Sequence, residues 1–437
     1  MTTRTYRSVL AFWLPLAATW LMMSVEGPIL AAVIARLADP TYNLAAYGVA
    51  FAFAILVEAP VIMLMSASTA LVEDAPSLQR MRRFTWALNG IATVLLLLML
   101  VPPVYDLVMR GLIGLPDEVA TITYGALWIF LPWPAAIGYR RFLQGLLIRA
   151  DRTRLVAAGT VIRLAAMVVT ALALAVAADL PGAWVGSAAL SVGVMVEAVA
   201  ARLMARETLA ELTDTPPDDP DAVPGYRDIS HFYLPLALTS LIGLTVQPML
   251  TFFMGRAPAP LESLAVFPVV HALSFVFRSF GLSYQEAAIA LLGRHNEHVA
   301  MMGRFALVLG LATSGALGLV AFTPLSRLWF EVLSGLSPEL AAYAVWPTRL
   351  LVPLPALSVV LSLQRAILVQ GRRTGPISGA TTVEVIGIAI LFPLFGFGLG
   401  WTGVTAAFIA FLGGRLAGNL YLLRPVREVL ARPAPSL

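Results

Sequence analysis

Twelve charged side chains interrupt the long apolar runs of this sequence. They are Arg140, Arg141, Arg163, Arg278, Arg349, Arg365, Arg415, Glu26, Glu58, Glu197, Glu286 and Glu384. A charge held against lipid costs about 2.5–3.5 kcal/mol at a helix centre, so twelve would cost about 30–40 kcal/mol. Most must therefore meet water, pair, or lie near an interface. Arg140, Arg141 and Arg365 fall toward helix ends and are expected to snorkel. Glu197, Glu286 and Arg415 admit more than one reading. Glu58 and Arg278 lie centrally, 220 positions apart, and Arg163 and Glu384 lie 221 apart. Both couples carry opposite charges. Two readings stay open for these four. They approach a central cavity or pair between bundles, or they form salt bridges inside bundles, Glu58 with Arg163 and Arg278 with Glu384.

The polar neighbours of these charges fall at helical spacing. His271, Ser274, Arg278 and Gln285 recur at three, four and seven residues, which places them on one helix face. Shorter stripes run through Thr160, Arg163 and Thr170, through Ser358, Ser362 and Arg365, and through Thr19, Met23 and Glu26. A polar stripe on a membrane helix turns toward protein or water. Guanidinium groups hold carboxylates and phosphates bidentately, so an anionic substrate is expected. Glu26 is either a proton carrier or a neutral, hydrogen-bonded acid beside a kink at Pro28.

Other chemistry is excluded or thinly supported. The chain has no cysteine, so thiolate metal sites, disulfides and cysteine nucleophiles are absent. Of four histidines, His295 and His298 share a polar loop with Asn296 and Glu297 and read as solvated. No metal and no cofactor is expected. No HExxH or GxSxG motif occurs, and the loops are too short for a soluble catalytic domain, so the chain does not read as an enzyme.

The elements that position these residues are membrane helices. Only 12% of the residues are charged, against about 25% in soluble proteins. Mean hydropathy is +0.84. The apolar runs are continuous rather than alternating, which excludes a porin-like barrel. Twelve spans are expected, at 9–37, 44–72, 85–108, 119–148, 155–178, 183–204, 229–256, 262–293, 304–326, 339–369, 376–398 and 402–423. The first carries Pro15, Glu26 and Pro28 and reads as a retained span, not a cleaved signal. All 29 basic residues are arginine. Eighteen lie at the termini and even-numbered loops, and four, Arg36, Arg110, Arg256 and Arg327, lie in odd-numbered loops. That asymmetry places both termini in the cytoplasm. It also accounts for the basic charge without nucleic acid. The expected setting is the inner (plasma) membrane of a bacterium, with the chain a monomer in the bilayer.

The sequence repeats itself. Segment 226–240, YRDISHFYLPLALTS, matches segment 6–20, YRSVLAFWLPLAATW, at eight of fifteen positions. Pro28 and Arg36 continue the match with Pro248 and Arg256. LPWPA (131–135) matches VPLPA (352–356), GLPDEV (114–119) matches GLSPEL (335–340), and Trp184 and Gly186 match Trp401 and Gly403. Two six-helix halves, 1–204 and 229–437, follow. Six is even, so the halves enter the membrane in the same direction, as parallel repeats of transporters do. Residues 205–228 between them, with seven acidic residues and four prolines, read as a cytoplasmic linker.

FWLPLA in the first span, the LPWPA/VPLPA pair, and the segments RFLQGLLIRADRTR (141–154) and LQRAILVQGRRTG (363–375) resemble the MOP flippase superfamily. This superfamily includes multidrug and toxic-compound extrusion proteins. The stretch AAYGVAFAFAILVEAPVIMLMSASTALV (45–72) is similar to the second helix of its progressive ankylosis-type branch. The resemblance implies an all-α protein with two bundles forming a V. It also implies outward export of a small solute coupled to H+ or Na+. Sodium-coupled relatives carry carboxylates in the seventh and tenth helices. Here the seventh has Gln247 and no acid, and the tenth has none beyond Glu339 at its first residue. Some proton-coupled relatives use an acid in the first helix, where Glu26 sits, so the resemblance favours protons over sodium. Alternatives are a flippase for lipid or lipid-linked saccharide, a pump for cationic drugs, and a non-transporting scaffold, against which the central charges argue.

Overall fold

The computed structural model describes residues 6–217, 223–293, 297–371 and 373–431. His295, Arg372 and part of the 205–228 linker lie outside the described residues. Among the described residues every regular element is a helix. Ten helices are long and apolar enough to cross a membrane, and two bent pairs bring the number to twelve if each pair is one span. Those pairs are Ala75–Met99 with Pro102–Ile113, bent by 75°, and Pro338–Leu350 with Leu354–Gln370, bent by 42°. They correspond to the expected third and tenth spans.

Prolines set the breaks, and they do so alike in both repeats. The first span runs Tyr6–Ser24 and then Glu26–Ile34, and the seventh Tyr226–Leu244 and then Val246–Met254. Pro28 and Pro248 lack the N–H that would bond the carbonyls of Ser24 and Leu244, and the first segments end at those residues. In the fourth and tenth spans a tight turn takes over the orphaned carbonyls. Trp133 N bonds Phe130 O at 2.9 Å, and Leu354 N bonds Leu351 O at 2.9 Å, where Pro134 and Pro355 cannot. Further equivalences follow the repeat. Asp39 and Ala259, each before a helix-opening proline, both have left-handed φ, 48° and 53°. Gly114 and Gly335 close π-helical turns at φ 79° and 73°.

One break is not shared. Pro60 ends the helix Pro40–Glu58, and the chain turns before resuming at Leu64–Leu71. The repeat mate, Phe280, leaves Pro260–Leu291 as one helix of 32 residues.

The chain packs as two units, Leu37–Phe252 and Met1–Arg36 with Phe253–Leu437. This differs from the halves expected from the repeat. The first span packs with the second repeat, and most of the seventh packs with the first. The repeat marks which residues are homologous, whereas packing follows which apolar faces meet. In the unit holding the first span, Trp13 is buried edge-on to Phe305, 5.6 Å between centroids, and donates to Ser283 Oγ at 2.9 Å. In the other unit its repeat mate Tyr233 lies edge-on to Phe84 at 5.2 Å and donates to the carbonyl of Pro60. Phe84 and Phe305 are themselves repeat mates. Each unit therefore anchors its incoming helix with the same aromatic device. Small residues let helices approach elsewhere, as where Gly145 lies against Ser68 and the backbone of Met65.

Candidate functional site

In the unit Leu37–Phe252, Glu58 is the last residue of its helix and is 7% exposed. It accepts a 2.8 Å hydrogen bond from Trp133 Nε1. The proline turn that starts the helix Trp133–Arg149 brings this indole inward. The guanidinium groups of Arg141, Arg140 and Arg163 lie near enough to act on Glu58 by charge. They do not replace the indole as its partner. The expected Glu58–Arg163 bridge is thus not the arrangement found.

Arg163 goes instead to Glu197. This carboxylate is fully buried on the sixth span, with Arg163 Nε at 3.3 Å. Arg140 Nη1 also bonds it, and Gln144 Nε2 donates to it at 3.1 Å. Arg140 is 4% exposed, so it does not snorkel. A carboxylate inside the bundle offers it more than the interface does. Arg141 is half-buried, with Nη1 3.8 Å from the sulfur of Met65. Thr160 and Arg163 share the buried face of the fifth span, and Thr170 is half-buried.

In the other unit, Glu384 on the eleventh span accepts two hydrogen bonds from Arg415 on the twelfth. Nε lies at 2.9 Å and Nη2 at 2.7 Å from Oε1. Arg415 also reaches Ser358 Oγ at 3.4 Å. The expected Arg278–Glu384 bridge is therefore displaced by a partner on the neighbouring helix. Arg278 has no carboxylate partner among the described residues. Its guanidinium lies over the ring of Phe411 at 4.9 Å, and its buried Nε and Nη1 have no protein acceptor. One turn earlier, Ser274 is 2% exposed and its Oγ is likewise without a partner. His271 stacks on Phe267 at 5.6 Å. Gln285, further along the same helix, is half-buried, and its neighbour Glu286 accepts from Trp20 Nε1 at 3.0 Å.

Glu26 opens the second segment of the first span, immediately after the break. Its neighbour Gly27 lies so close to Ala272 that an added Cβ would sit 3.0 Å from that side chain. Glu26 and His271 flank this contact in their respective helices. Glu26 thus lies at the His271 end of the polar stripe. Arg365 also turns inward. Its Nη2 reaches Thr381 Oγ1 at 3.4 Å, and its buried Nε does not return to the interface. Ser358 and Ser362 are buried on the same helix.

The structure thus gathers Glu26, His271, Ser274, Arg278, Glu384 and Arg415 in one unit. Glu58 and Arg163 belong to the other. Trp133, Phe411 and the core role of Glu197 were not legible beforehand. The tryptophan stands in a motif whose prolines alone signal a kink. A cavity of about 620 Å3 lies in the unit Leu37–Phe252 between Pro60, Phe84 and Tyr233, and none of the central charges lines it. Among the described residues no three of His, Asp and Glu gather as a metal ion would need.

No protein-family description matches the chain, and no curated protein matches it. Solved structures do. A multidrug resistance MATE family transporter of the MOP superfamily, in an inward-facing conformation, is 14% identical, with 96% of this chain and 99% of that one covered at a TM-score of 0.74. The lipid II flippase MurJ, in an inward closed conformation, is 12% identical, with 95% and 87% covered at 0.71. The eukaryotic MATE transporter AtDTX14 is 13% identical, with 96% and 99% covered at 0.62. At such identities the likeness is one of fold. The chain is a multi-pass helical membrane protein whose fold is that of these MATE and MurJ structures.

Proposed function

We propose that this protein is a secondary exporter of a small anionic organic solute, working by rocking-bundle alternating access and coupled to H+. The observation that carries the reading is Arg278. A buried charge without a counter-ion costs several kcal/mol. A guanidinium that lacks a carboxylate, one turn from an unpartnered serine hydroxyl, is arranged to receive one from a ligand. A carboxylate or phosphate on the solute would accept from Nε and Nη1, and Ser274 would add a third donor. Glu26, at the His271 end of the stripe, supplies the proton-linked group. Its protonation and the solute's binding bias the two states only through their differential affinities.

Flux into proteoliposomes tests this, with a panel of carboxylates, phosphates and cationic dyes, with and without pH and Na+ gradients. The expected result is anion flux driven by the pH gradient, and Glu26→Gln should lose that drive. Movement of dyes alone overturns the anionic reading. Retention of full pH-driven flux by E26Q removes Glu26 from coupling.

The likeness to a lipid II flippase supports a second reading, in which the anionic group belongs to a lipid-linked substrate. Translocation of a lipid diphosphate without flux of any soluble anion would favour it.

A further inference from the structure

A cluster of guanidinium groups lines a pocket in the unit Leu37–Phe252, and none of the central charges lines it. This pocket of about 440 Å3 is framed by the third span, the helix Trp133–Arg149, the end of the sixth span and the short helix Arg206–Asp214. Arg82, Arg202 and Arg206 line it, with Tyr139, Thr213 and Asp214. Three guanidinium groups and one carboxylate leave the lining with a formal charge of +2.

Nearby arginines are already engaged. Arg80 bonds the carbonyls of Val223 and Pro224, Arg149 pairs with Glu73, and Arg152 pairs with Glu207 and Glu211. Arg82, Arg202 and Arg206 take no ion pair among the described residues. Acidic residues were therefore available on the same short helix, but they neutralise Arg152 and leave the pocket positive.

The surroundings indicate what fills it. Trp86, one turn from Arg82, is 54% exposed, and Val199 and Leu203, beside Arg202, are 62% and 69% exposed. On a membrane protein such apolar surface faces acyl chains. Trp86 stacks on Tyr139 at 5.3 Å, so the pocket wall continues into that surface through an aromatic pair. Tryptophan and tyrosine favour this depth of the bilayer, where polar heads meet chains. The arginines stand at the edge of a lipid-facing strip, on the arginine-rich side. A soluble phosphate would use the guanidinium groups and ignore the strip, whereas a lipid uses both.

We infer that this pocket holds the phosphate headgroup of an anionic phospholipid, with its chains lying along Trp86, Val199 and Leu203. Basic pockets between membrane helices select such headgroups. The site does not depend on what the protein transports.

The test uses the purified full-length protein in neutral detergent, with native mass spectrometry and thermal unfolding as readouts. Phosphatidylglycerol, cardiolipin, phosphatidylcholine and millimolar inorganic phosphate are added separately. Anionic lipids should bind and raise the unfolding temperature, while phosphatidylcholine and inorganic phosphate should not. R202Q/R206Q should weaken anionic-lipid binding about thirtyfold. R83Q, at an exposed neighbour that does not line the pocket, should leave it unchanged. Equal binding of phosphatidylcholine, undiminished binding by R202Q/R206Q, or displacement of lipid by inorganic phosphate overturns the inference. Should the double variant not fold, a photoreactive phosphatidylglycerol on the wild-type chain must label peptides carrying Arg82, Arg202 or Arg206. Labelling elsewhere overturns the inference equally.

Discussion

Arg278 and Arg415 face the same interior and contact the same ring, yet they should respond oppositely to neutralisation. Arg415 donates twice to Glu384, and the two side chains are only 12% and 9% exposed. Arg415→Gln strands a buried carboxylate, which costs about 3–5 kcal/mol. Arg278 has no such partner. Its contact with Phe411, at 4.9 Å, is a cation–π interaction worth about 0.5–2 kcal/mol. Arg278→Gln forfeits that contact and also removes an unpaired charge whose burial costs several kcal/mol. The two effects offset, so R278Q should be at least as stable as the wild type while losing anion flux. The measurements are the fraction of monodisperse protein surviving a heating series in detergent, and proteoliposome flux of whichever anion the wild type moves. R415Q should survive least. If R278Q is as thermolabile as R415Q, Arg278 is a structural residue. If R278Q is stable and transports normally, the anion does not bind there. Either result refutes the assignment.

Three further substitutions probe the interior of the unit Leu37–Phe252. Glu197→Gln removes the carboxylate that Arg140 and Arg163 share, and should cost at least about 3–5 kcal/mol, read as lost thermal survival. Trp133→Phe keeps the ring but withdraws the N–H from Glu58. It should cost about 1.5–3 kcal/mol, and more than the same change at Trp128, which is 45% exposed. Gly145→Ala sets a methyl group against Ser68 and the Met65 carbonyl, and overpacking there should cost about 1–3 kcal/mol without altering substrate selectivity.

The spans and the repeat were readable because they depend on long-range regularities of composition and on residues at fixed offsets. A membrane helix needs only an apolar stretch of the right length. Pairing among the interior charges was not readable. Arg140 falls near a helix end, where snorkelling is a sound expectation, but its partner Glu197 lies 57 residues away on another helix. Whether the two meet depends on how both helices are rotated, which sequence spacing does not fix. The same holds for Glu384, for which Arg278 was the partner expected inside its bundle and which Arg415 takes. Trp133 shows a different limit. An indole N–H becomes a carboxylate's partner only because a proline turn aims it, and the turn, not the aim, is visible in LPWPA. The packing of the first span with the second repeat was hidden for a third reason. Trp13 and Tyr233 align as homologues, and homology does not say which helix each side chain meets.

The two repeats meet one structural need with opposite signs. Arg163 bonds Glu197 between the fifth and sixth spans, and its repeat mate Glu384 bonds Arg415 between the eleventh and twelfth. An ion pair joins two helices equally well in either polarity, so these positions could exchange sign and keep their purpose. Glu58 and Arg278 are also repeat mates of opposite sign, and neither is met by a direct counter-ion. Glu58 receives a neutral indole N–H, and Arg278 an aromatic face. Neutral partners fix a side chain in place without a direct ion pair, though Arg141, Arg140 and Arg163 still act on Glu58 by charge. A pair contributes little field beyond its own atoms, whereas a charge held by neutral groups acts on whatever approaches it. The second and eighth spans therefore carry charges held by neutral groups, and the fifth, sixth, eleventh and twelfth carry those that bind helix to helix. Of the two, Arg278 has buried donors without an acceptor, and for that reason the anionic proposal rests on it and not on the more symmetrical set of four.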